Sequence, residues 1–374
     1  MLILGAGPAG CTVALFLRNS GLKVAMLDKA EFPRDKVCGE LMHKKAVETL
    51  EEILPGFTSD FTGFSKTLVL KKTKVHYKEQ VLDFSWQNAS YTCKRVDLDN
   101  YLLNTVKSKT DTYIQTGIAL GKPEIKDNKV VIETTDGTQQ FTGKMVIGAD
   151  GAHSIVAKTF ASKTVNKEQY LGAVRAYYSN IEGLSPDTAE VFFNTRNRFN
   201  YLWVFPVSGG EANVGFGLLS NNISKNKLSL KDEFKNYFIE SDILKKKFEN
   251  AVETHPLEGF GVPLGPDMGI SCGERFLLVG DAAALSNPLS GTGIGNAVVS
   301  AKLAGEQVLR CFKSNNFSDS FMQSYRDALQ VNIVNGLQQS LKTQRFISKM
   351  PFLLDLVFFL ARSKRFRHFI QSRV

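Results

Sequence analysis

The chain has 374 residues, a formal net charge of +9 and 43% hydrophobic residues, which suits an ordinary globular protein large enough for two units. Its five cysteines, at 11, 38, 93, 272 and 311, form no C-x-x-C pair, which argues against a disulfide framework or a zinc site and for a reducing compartment. Residues 341–374 hold eight Lys or Arg and one acid; the remainder is nearly neutral, so no nucleic-acid partner is expected.

The first ten residues predict a strand that turns directly into a helix. Residues 2–4 are apolar, and Gly5, Gly7 and Gly10 then give the spacing G-x-G-x-x-G. Glycines at this spacing allow a tight turn, a close approach of the backbone to a pyrophosphate and close packing of helix on strand. Pro8 suits the first helical position, and free N–H groups at that helix end favour phosphate.

The elements that follow this turn complete a nucleotide-binding pattern. A helix is predicted from Ala9 to Asn19, and Ala9 is itself a predicted phosphate contact. The helix leads to a strand over 23–27, which Asp28 closes. A carboxylate at this place would bind a ribose hydroxyl. The combination predicts dinucleotide binding, and the alternative is a glycine-rich turn in another α/β unit.

The loop after Asp28 is basic and then turns at Cys-Gly. Lys29, Arg34 and Lys36 are candidates for contact with phosphate or a cofactor edge, and the alternative is a solvated loop. Cys38, beside Gly39, either faces a cofactor ring or is a small buried residue.

The middle of the chain leaves the first unit and returns to it. Residues 66–72 and 74–84 predict two strands, and Arg95 heads a returning helix as a second candidate for phosphate contact. A hairpin with a D-G turn over 130–141 precedes a strand over 144–148, which runs into Asp150.

From residue 170 to 219 the pattern changes to four short strands separated by turn residues, which predicts an antiparallel sheet. Tyr201, Trp203 and Phe205 alternate along one strand and share a face. We expect this face to line a cavity for a long apolar substrate; the alternative is that they are ordinary core residues. Residues 229–251 predict one amphipathic helix.

A buried strand over 275–281 leads to a second glycine-rich helix start, whose helix runs to about residue 312. Three alternating glycines bring backbone N–H groups and a helix N-terminus close to a ligand, which suits a group that develops negative charge. Gly291, Gly293 and Gly295 are the candidate ligand contacts here.

Three motifs taken together resemble the flavoprotein hydroxylase superfamily with the para-hydroxybenzoate hydroxylase fold. They are the glycine motif at 5–10, Gly148-Ala-Asp-Gly151, and Gly280-Asp281 with the loop to Gly293. The resemblance implies one tightly bound FAD, with the pyrophosphate at the glycine motif, the ribose at Asp28 and the ribityl-phosphate region at Arg95 and Asp281. It also implies cofactor contacts from Gly280, Pro288, Ile294 and Asn296, with residues 291–296 at the isoalloxazine. Asp150 lies in a motif that the superfamily associates with FAD and pyridine-nucleotide contact.

Within that superfamily the chain resembles the geranylgeranyl reductase family. The matching motifs are Phe32-Pro-Arg-x-Lys-x-Cys-Gly39, Tyr201-x-Trp203-x-Phe205-Pro206 and Asn213-Val-Gly-x-Gly217. The family often has Cys-Gly-Gly, whereas this chain has Cys38-Gly39-Glu40, so we expect Glu40 to alter the substrate side of the flavin. The Trp-rich sequence G-W-W-x-W-x-I-P of tryptophan halogenases is absent, which disfavours halogenation.

The resemblance predicts an FAD-dependent oxidoreductase that reduces carbon–carbon double bonds of a prenyl lipid, with NAD(P)H as one candidate electron donor and ferredoxin or quinol as others. Flavin N5 would supply the hydride and an acid or water the proton. Cys38 is the first candidate for a catalytic residue at the substrate side. The alternatives are an NAD(P)H- and O₂-dependent hydroxylase and a membrane-associated flavin electron carrier, because fold does not decide function.

The predicted fold is α/β, with a Rossmann-like FAD-binding domain, an inserted antiparallel-sheet substrate domain and C-terminal helices. The FAD-binding domain would comprise residues 1–65, 92–160 and 265–330. The substrate domain would comprise 66–91 and 161–264, and the helical segment 331–374.

The C-terminal segment predicts an apolar surface with a basic rim, which suits the surface of a membrane with anionic lipid. The alternative is that its apolar residues close the core. The run over 351–361 contains Asp355 and is too short to span a bilayer, and the chain opens on a strand rather than a signal peptide. We therefore expect a cytoplasmic protein with 341–374 as a candidate for peripheral contact with the inner face of the membrane. The apolar residues are Phe346, Met350, Phe352, Leu353, Leu356, Val357, Phe359 and Leu360.

Overall fold

The structure is a computed structural model that describes residues 1–78, 80–162, 166–194, 200–266, 269–350, 352–363 and 365–367. Its strands are β1 Leu2–Leu4, β2 Ala25–Leu27, β3 Leu41–His43, β4 Leu68–Tyr77, β5 Gln80–Thr92, β6 Tyr113–Gln115, β7 Glu124–Lys126, β8 Lys129–Glu133, β9 Gln140–Gly143, β10 Val146–Gly148, β11 Tyr170–Ser179, β12 Thr188–Asn194, β13 Asn200–Val207, β14 Glu211–Leu219, β15 Val252–Pro263, β16 Cys272–Gly273 and β17 Phe276–Leu278. Its α-helices are α1 Pro8–Phe16, α2 Lys44–Ile53, α3 Phe57–Gly63, α4 Arg95–Lys109, α5 Ile155–Phe160, α6 Ser220–Asn226, α7 Leu230–Glu240, α8 Asp242–Lys247, α9 Ile294–Ser314, α10 Gln323–Leu329, α11 Asn335–Lys349 and α12 Phe352–Leu360.

A six-stranded sheet, here called the nucleotide sheet, has the order β16-β17-β10-β1-β2-β6. Its strands are parallel except for β16, which runs antiparallel to β17. The fully buried strand β1 lies between β10 and β2. Because the carboxyl ends of parallel strands meet at one edge, the residues after β1, β2, β10 and β17 come together there. These are Gly5, Asp28, Asp150 and Asp281.

An eight-stranded sheet, here called the large sheet, has the order β15-β11-β14-β13-β12-β4-β5-β3. The strands β11 to β14 pair antiparallel, as predicted. The hairpin of β4 and β5 joins them through one parallel pair, between β4 and β12. One face of this sheet packs Val174 and Phe216 against Phe234 and Tyr237 of α7. The predicted fold class, a Rossmann-like α/β unit with an antiparallel sheet and C-terminal helices, is confirmed.

The largest differences from the predicted local boundaries lie in two places. The predicted helix over 229–251 is two helices, α7 and α8, since the Ser241 hydroxyl accepts the N–H of Leu244 and caps the second one. The predicted break near residue 73 is absent. The chain instead turns after Tyr77, where Lys78 has a φ of 53°, so β4 is longer than expected.

The C-terminal helix α12 packs on the outer side of the β4–β5 hairpin. The Phe358 ring stacks on Tyr77 with centroids 4.2 Å apart, and the Tyr77 hydroxyl donates to Asp355 at 2.9 Å. Apolar side chains are exposed on the opposite side of α12 and near the C-terminal end of α11, as Phe346, Phe352 and Phe359 illustrate. Among the residues that the structure describes, no helix is both long and apolar enough to cross a membrane.

Candidate cofactor and substrate site

A cavity of about 800 Å³ lies between the carboxyl edge of the nucleotide sheet and the large sheet. Its volume is typical of small-molecule and cofactor sites. Most residues predicted from the sequence to bind cofactor or substrate line it together. They are Gly5, Gly7, Pro8, Ala9, Asp28, Lys29, Arg34, Lys36, Cys38, Gly39, Arg95, Asp150, Tyr201, Trp203, Phe205, Gly280, Asp281, Pro288, Gly291, Gly293 and Ile294.

Three of the predicted cofactor residues lie outside this lining. A Cβ atom on Gly10 would lie 1.9 Å from the carbonyl oxygen of Gly5, so Gly10 permits the close helix–strand packing expected of it. The Asn296 amide donates to the Leu285 carbonyl at 2.7 Å and holds the loop instead of facing the cavity. Around Gly295, an added Cβ would meet open space.

Two arginines converge on the N-terminus of α1. A Cβ built on Gly7 would lie 3.6 Å from Arg34 Nη2 and 4.0 Å from Arg95 Nη2. Both guanidiniums are held by Asp99, whose buried carboxylate accepts from Arg95 Nε at 2.7 Å and pairs with Arg34 Nη1 at 2.9 Å. A helix N-terminus beside two fixed guanidiniums is a strong site for a pyrophosphate.

The neighbouring acids are arranged for further polar contacts of a dinucleotide. Asp28 accepts the N–H groups of Ala6 and Ala30 at 2.7 and 2.8 Å, which fixes its carboxylate at the end of β2. Asp150 accepts the N–H of Ile155 at 2.7 Å through Oδ2, while its buried Oδ1 has no hydrogen-bond partner among the described residues. Burial raises the pKa of Asp150. Buried carboxylate oxygens are rarely left without a hydrogen bond, so Asp150 stays a candidate for contact with a bound group.

Asp281 also lines the cavity and has a cationic partner. Lys36 Nζ is 3.1 Å from Asp281 Oδ2, and the Ser286 hydroxyl donates to Oδ1 at 3.0 Å. Burial alone would raise the pKa of Asp281, but the charge and hydrogen bond of Lys36 outweigh it, and the pKa is lowered. Lys36 is therefore anchored to the strand end after β17 rather than free in the loop.

The aromatic residues of β13 form one wall of the cavity and are also hydrogen-bonded to the loops around it. The Tyr201 hydroxyl donates to the Ser290 carbonyl at 2.7 Å, and Trp203 Nε1 donates to Asn213 Oδ1 at 2.8 Å. A Cβ on Gly215 would lie 2.1 Å from the Trp203 ring, so only glycine leaves room for the indole there. Phe205 is 8% exposed and extends the same wall.

Glu40 is fully buried and fastens the Cys38–Gly39 turn to three other elements. Its carboxylate accepts the backbone N–H of Arg95 at 2.8 Å, the Tyr177 hydroxyl, and Asn213 Nδ2 at 3.0 Å. Asn213 Nδ2 also donates to the Cys38 carbonyl at 2.7 Å. Burial raises the pKa of Glu40, and these hydrogen bonds offset part of that effect.

Sequence reasoning did not assign roles to Asp99, Tyr177 or Asn213. Asn213 lies in the motif Asn213-Val-Gly-x-Gly217, and a buried amide needs hydrogen-bond partners. Asp99 lies one helical turn after Arg95, which is the spacing of a side-chain ion pair. Nothing in the local sequence points to Tyr177, whose partner Glu40 is 137 residues away.

Comparison with known proteins agrees with this geometry. The FAD-binding-domain family matches residues 1–327. The chain belongs to this family. It is 29% identical over 325 residues to digeranylgeranylglycerophospholipid reductase of Methanosarcina acetivorans, covering 85% of this chain and 77% of that protein. It is 26% identical over 332 residues to menaquinone reductase of Mycobacterium tuberculosis, covering 82% and 75%.

A solved structure shares the fold of this FAD-binding-domain protein. The geranylgeranyl bacteriochlorophyll reductase-like protein of Thermoplasma acidophilum superimposes with a TM-score of 0.84, at 23% identity, over 97% of this chain and 91% of that one. The predicted resemblance is confirmed by the family match and the curated relatives, and the family match also confirms FAD as the cofactor. The protein is an FAD-dependent oxidoreductase.

Proposed function

We propose that the protein reduces carbon–carbon double bonds in the prenyl chain of a lipid. The observation that carries the proposal is the shared cavity. The aromatic wall of Tyr201 and Trp203 and the cofactor-binding loop from Pro288 to Ile294 face the same space. A long apolar chain fits such a wall, and two curated relatives are named for the reduction of a digeranylgeranyl lipid and of menaquinone.

Each part of the cavity would have its own task in this reaction. Arg34 and Arg95, held by Asp99, bind the pyrophosphate of FAD, and Asp28 its ribose. Bound FAD supplies the hydride. Trp203 and Tyr201 hold the prenyl chain and exclude water. Cys38 lines the cavity beside Gly39 and remains our first candidate for contact at the substrate side. NAD(P)H is the proposed electron donor, with Asp150 as the candidate contact.

We also propose that the protein lies on a membrane surface while it acts. Exposed apolar side chains of α11 and α12 form the surface: Phe346, Met350, Phe352, Leu356, Val357, Phe359 and Leu360. Leu353, predicted to belong to it, has a side chain outside the described part of the structure. The exposed residues Arg345 and Lys349 lie on the same segment. Helix α11 also lines the cavity through Gln344 and Ser348, so a lipid would have a short path inward.

An anaerobic single-turnover experiment tests the reductase activity. The FAD-loaded protein is reduced chemically, mixed with a geranylgeranyl lipid, and the lipid is analysed by mass spectrometry. We expect two hydrogens added for each double bond reduced, with reoxidation of the flavin at the same rate. In a separate assay with air and NAD(P)H, a hydroxylase would instead consume O₂ and add oxygen to the product. Flavin that stays reduced in the presence of every prenyl lipid would contradict the proposal.

Liposome flotation tests the membrane surface. Vesicles with anionic lipid should carry the protein upward, binding should fall as salt rises, and Phe352→Ser with Phe359→Ser should abolish it. Ile239→Ser is a matched control, because Ile239 is 65% exposed on α7, outside this surface. A wild-type protein that stays at the bottom with both anionic and neutral vesicles would exclude this part of the proposal.

A further inference from the structure

The opening of the cavity differs chemically from its cofactor side. Four uncharged polar side chains line it from two helices, Asn222 and Asn226 of α6 and Gln344 and Ser348 of α11. Asn226 and Ser348 are solvent exposed, so they stand at the mouth. Asn222 and Gln344 lie one helical turn away from them on the same helix faces and are less exposed.

Gln344 is the least exposed of the four and has no partner. It is 8% exposed, it lines the cavity, and its side-chain amide makes no hydrogen bond with any residue in the described part of the chain. When an apolar chain fills the cavity and displaces water from this amide, an amide left without hydrogen bonds costs free energy. A ligand in the cavity that both accepts and donates would remove that cost.

Within the described part of the chain, neither α6 nor α11 contributes a charged side chain to the lining. Within the described residues, the charged groups that line the cavity come from residues 28–40, Arg95, residues 150–153 and Asp281, all on the cofactor side. The strands β11, β14 and β15 contribute apolar side chains to the lining, among them Leu171, Leu219 and Val262. A phosphate placed there would be a desolvated anion without a counter-ion, which is strongly unfavourable.

We infer that Gln344 binds the uncharged polar head of the lipid substrate. The inference rests on the proposed reductase function and narrows its substrate class to a prenyl chain with a carbonyl or hydroxyl head, as in a quinone or a prenyl alcohol. Charged lipid heads remain outside, where Arg345 and Lys349 are exposed and do not line the cavity. The amide of Gln344 donates to a carbonyl and accepts from a hydroxyl.

Binding to the FAD-loaded full-length protein tests this inference. Geranylgeraniol and geranylgeranyl phosphate share one chain and differ in the charge of the head. Each is titrated in non-ionic detergent, and binding is followed by the flavin absorption spectrum and by Trp emission. We expect the alcohol to bind at least about tenfold more tightly than the phosphate. Menaquinone is a third ligand, which shows whether a carbonyl head binds as tightly as a hydroxyl.

Substitutions assign the effect to the amide. Gln344→Leu should weaken binding of the alcohol by about three- to tenfold, the loss expected for one neutral hydrogen bond, and leave the weak binding of the phosphate unchanged. Gln339→Leu on the exposed side of α11 is the matched control. Gln344→Lys should shift the preference toward the phosphate, and it also provides a result if the leucine variant does not fold.

Three outcomes overturn the inference. In the first, the wild type binds geranylgeranyl phosphate more tightly than the alcohol and reduces it. The reductase function would then stand, but the restriction to substrates with an uncharged head would be wrong. Unchanged selectivity in both Gln344 variants would do the same. Absence of binding and reduction with all three lipids would overturn the reductase function and this inference together.

Discussion

The hydrogen bond between Glu40 and Asn213 gives the sharpest test of the site. In Glu40→Gln the side-chain oxygen can still accept from Arg95 and Tyr177, but the new NH₂ group then faces Asn213 Nδ2, 3.0 Å from the original oxygen. If the new amide is rotated, its NH₂ group faces the Arg95 N–H, and two donors again oppose each other. Rotating the Asn213 amide breaks its bonds to Trp203 and Cys38. A buried donor left without an acceptor costs about 1–3 kcal/mol.

Asn213→Asp replaces a donor with an acceptor at the same contact. Its second oxygen would face the Glu40 carboxylate and the Cys38 carbonyl, and a buried charge without its partner costs about 3–5 kcal/mol. In the double variant the amide introduced at position 40 donates to the carboxylate introduced at position 213, so one hydrogen bond returns with its direction reversed. We expect the double variant to be less destabilised than the sum of the single variants by about 1–3 kcal/mol.

Urea unfolding of FAD-saturated protein, followed by far-ultraviolet circular dichroism, measures the three free energies. Emission of Trp203 in a Trp86→Phe background reports whether the indole keeps its environment. Single and double variants that add within about 0.5 kcal/mol would show that Glu40 and Asn213 are not bonded. That result would also remove the link we describe between β14 and the Cys38–Gly39 turn.

Other consequences can be measured on the same protein. Burial raises the pKa of Glu40 above its ordinary 4.5. Its contribution to the free energy of unfolding should therefore be complete below pH 4.5 and decline as the pH rises through the raised pKa. The difference in stability between wild type and Glu40→Gln should shrink over the same range, and a difference that stays constant with pH would contradict this. Gly10→Ala should nearly abolish bound flavin, measured by absorbance, whereas Gly295→Ala should not, because only the first added Cβ meets backbone. Asp281→Ala should weaken FAD binding by more than tenfold in an equilibrium titration, and tenfold corresponds to about 1.4 kcal/mol. Unchanged affinity would show that Asp281 only stabilises its own loop. Trp203→Ala should impair turnover while the flavin spectrum stays nearly intact, and loss of folded protein would favour a core role.

Local patterns predicted the parts of the fold that depend on neighbours in the sequence. The strand, turn and helix from Leu2 to Phe16 followed from apolar residues and glycine spacing, because the packing of Gly10 on Gly5 is a contact within one short stretch of chain. The alternating face of Tyr201, Trp203 and Phe205 followed from strand geometry.

Long-range pairings could not be predicted in the same way. Asn213 and Glu40 are 173 residues apart and meet only because β14 and the turn after Gly39 pack together. The break at Ser241 was missed because an amphipathic pattern continues across it, whereas the Ser241 cap is a local competition between side chain and backbone. The sequence showed that Glu40 departs from the Cys-Gly-Gly motif of the family. The three groups that donate to its carboxylate could not be predicted, because they come from α4, β11 and β14.

The strand β13 links substrate shape to the environment of the flavin. Tyr201 holds the cofactor loop through Ser290, and Trp203 reaches the Cys38–Gly39 turn through Asn213. A substrate that pushed the indole aside would break the bond from Trp203 Nε1 to a fully buried amide, at a cost of about 1–3 kcal/mol for the group left unpaired. The space beside Gly215 is filled by the same ring, so the indole has no second position on the strand side. The wall therefore favours a slender chain that lies along it, and a wide ring at this depth would disturb both loops that border the cofactor.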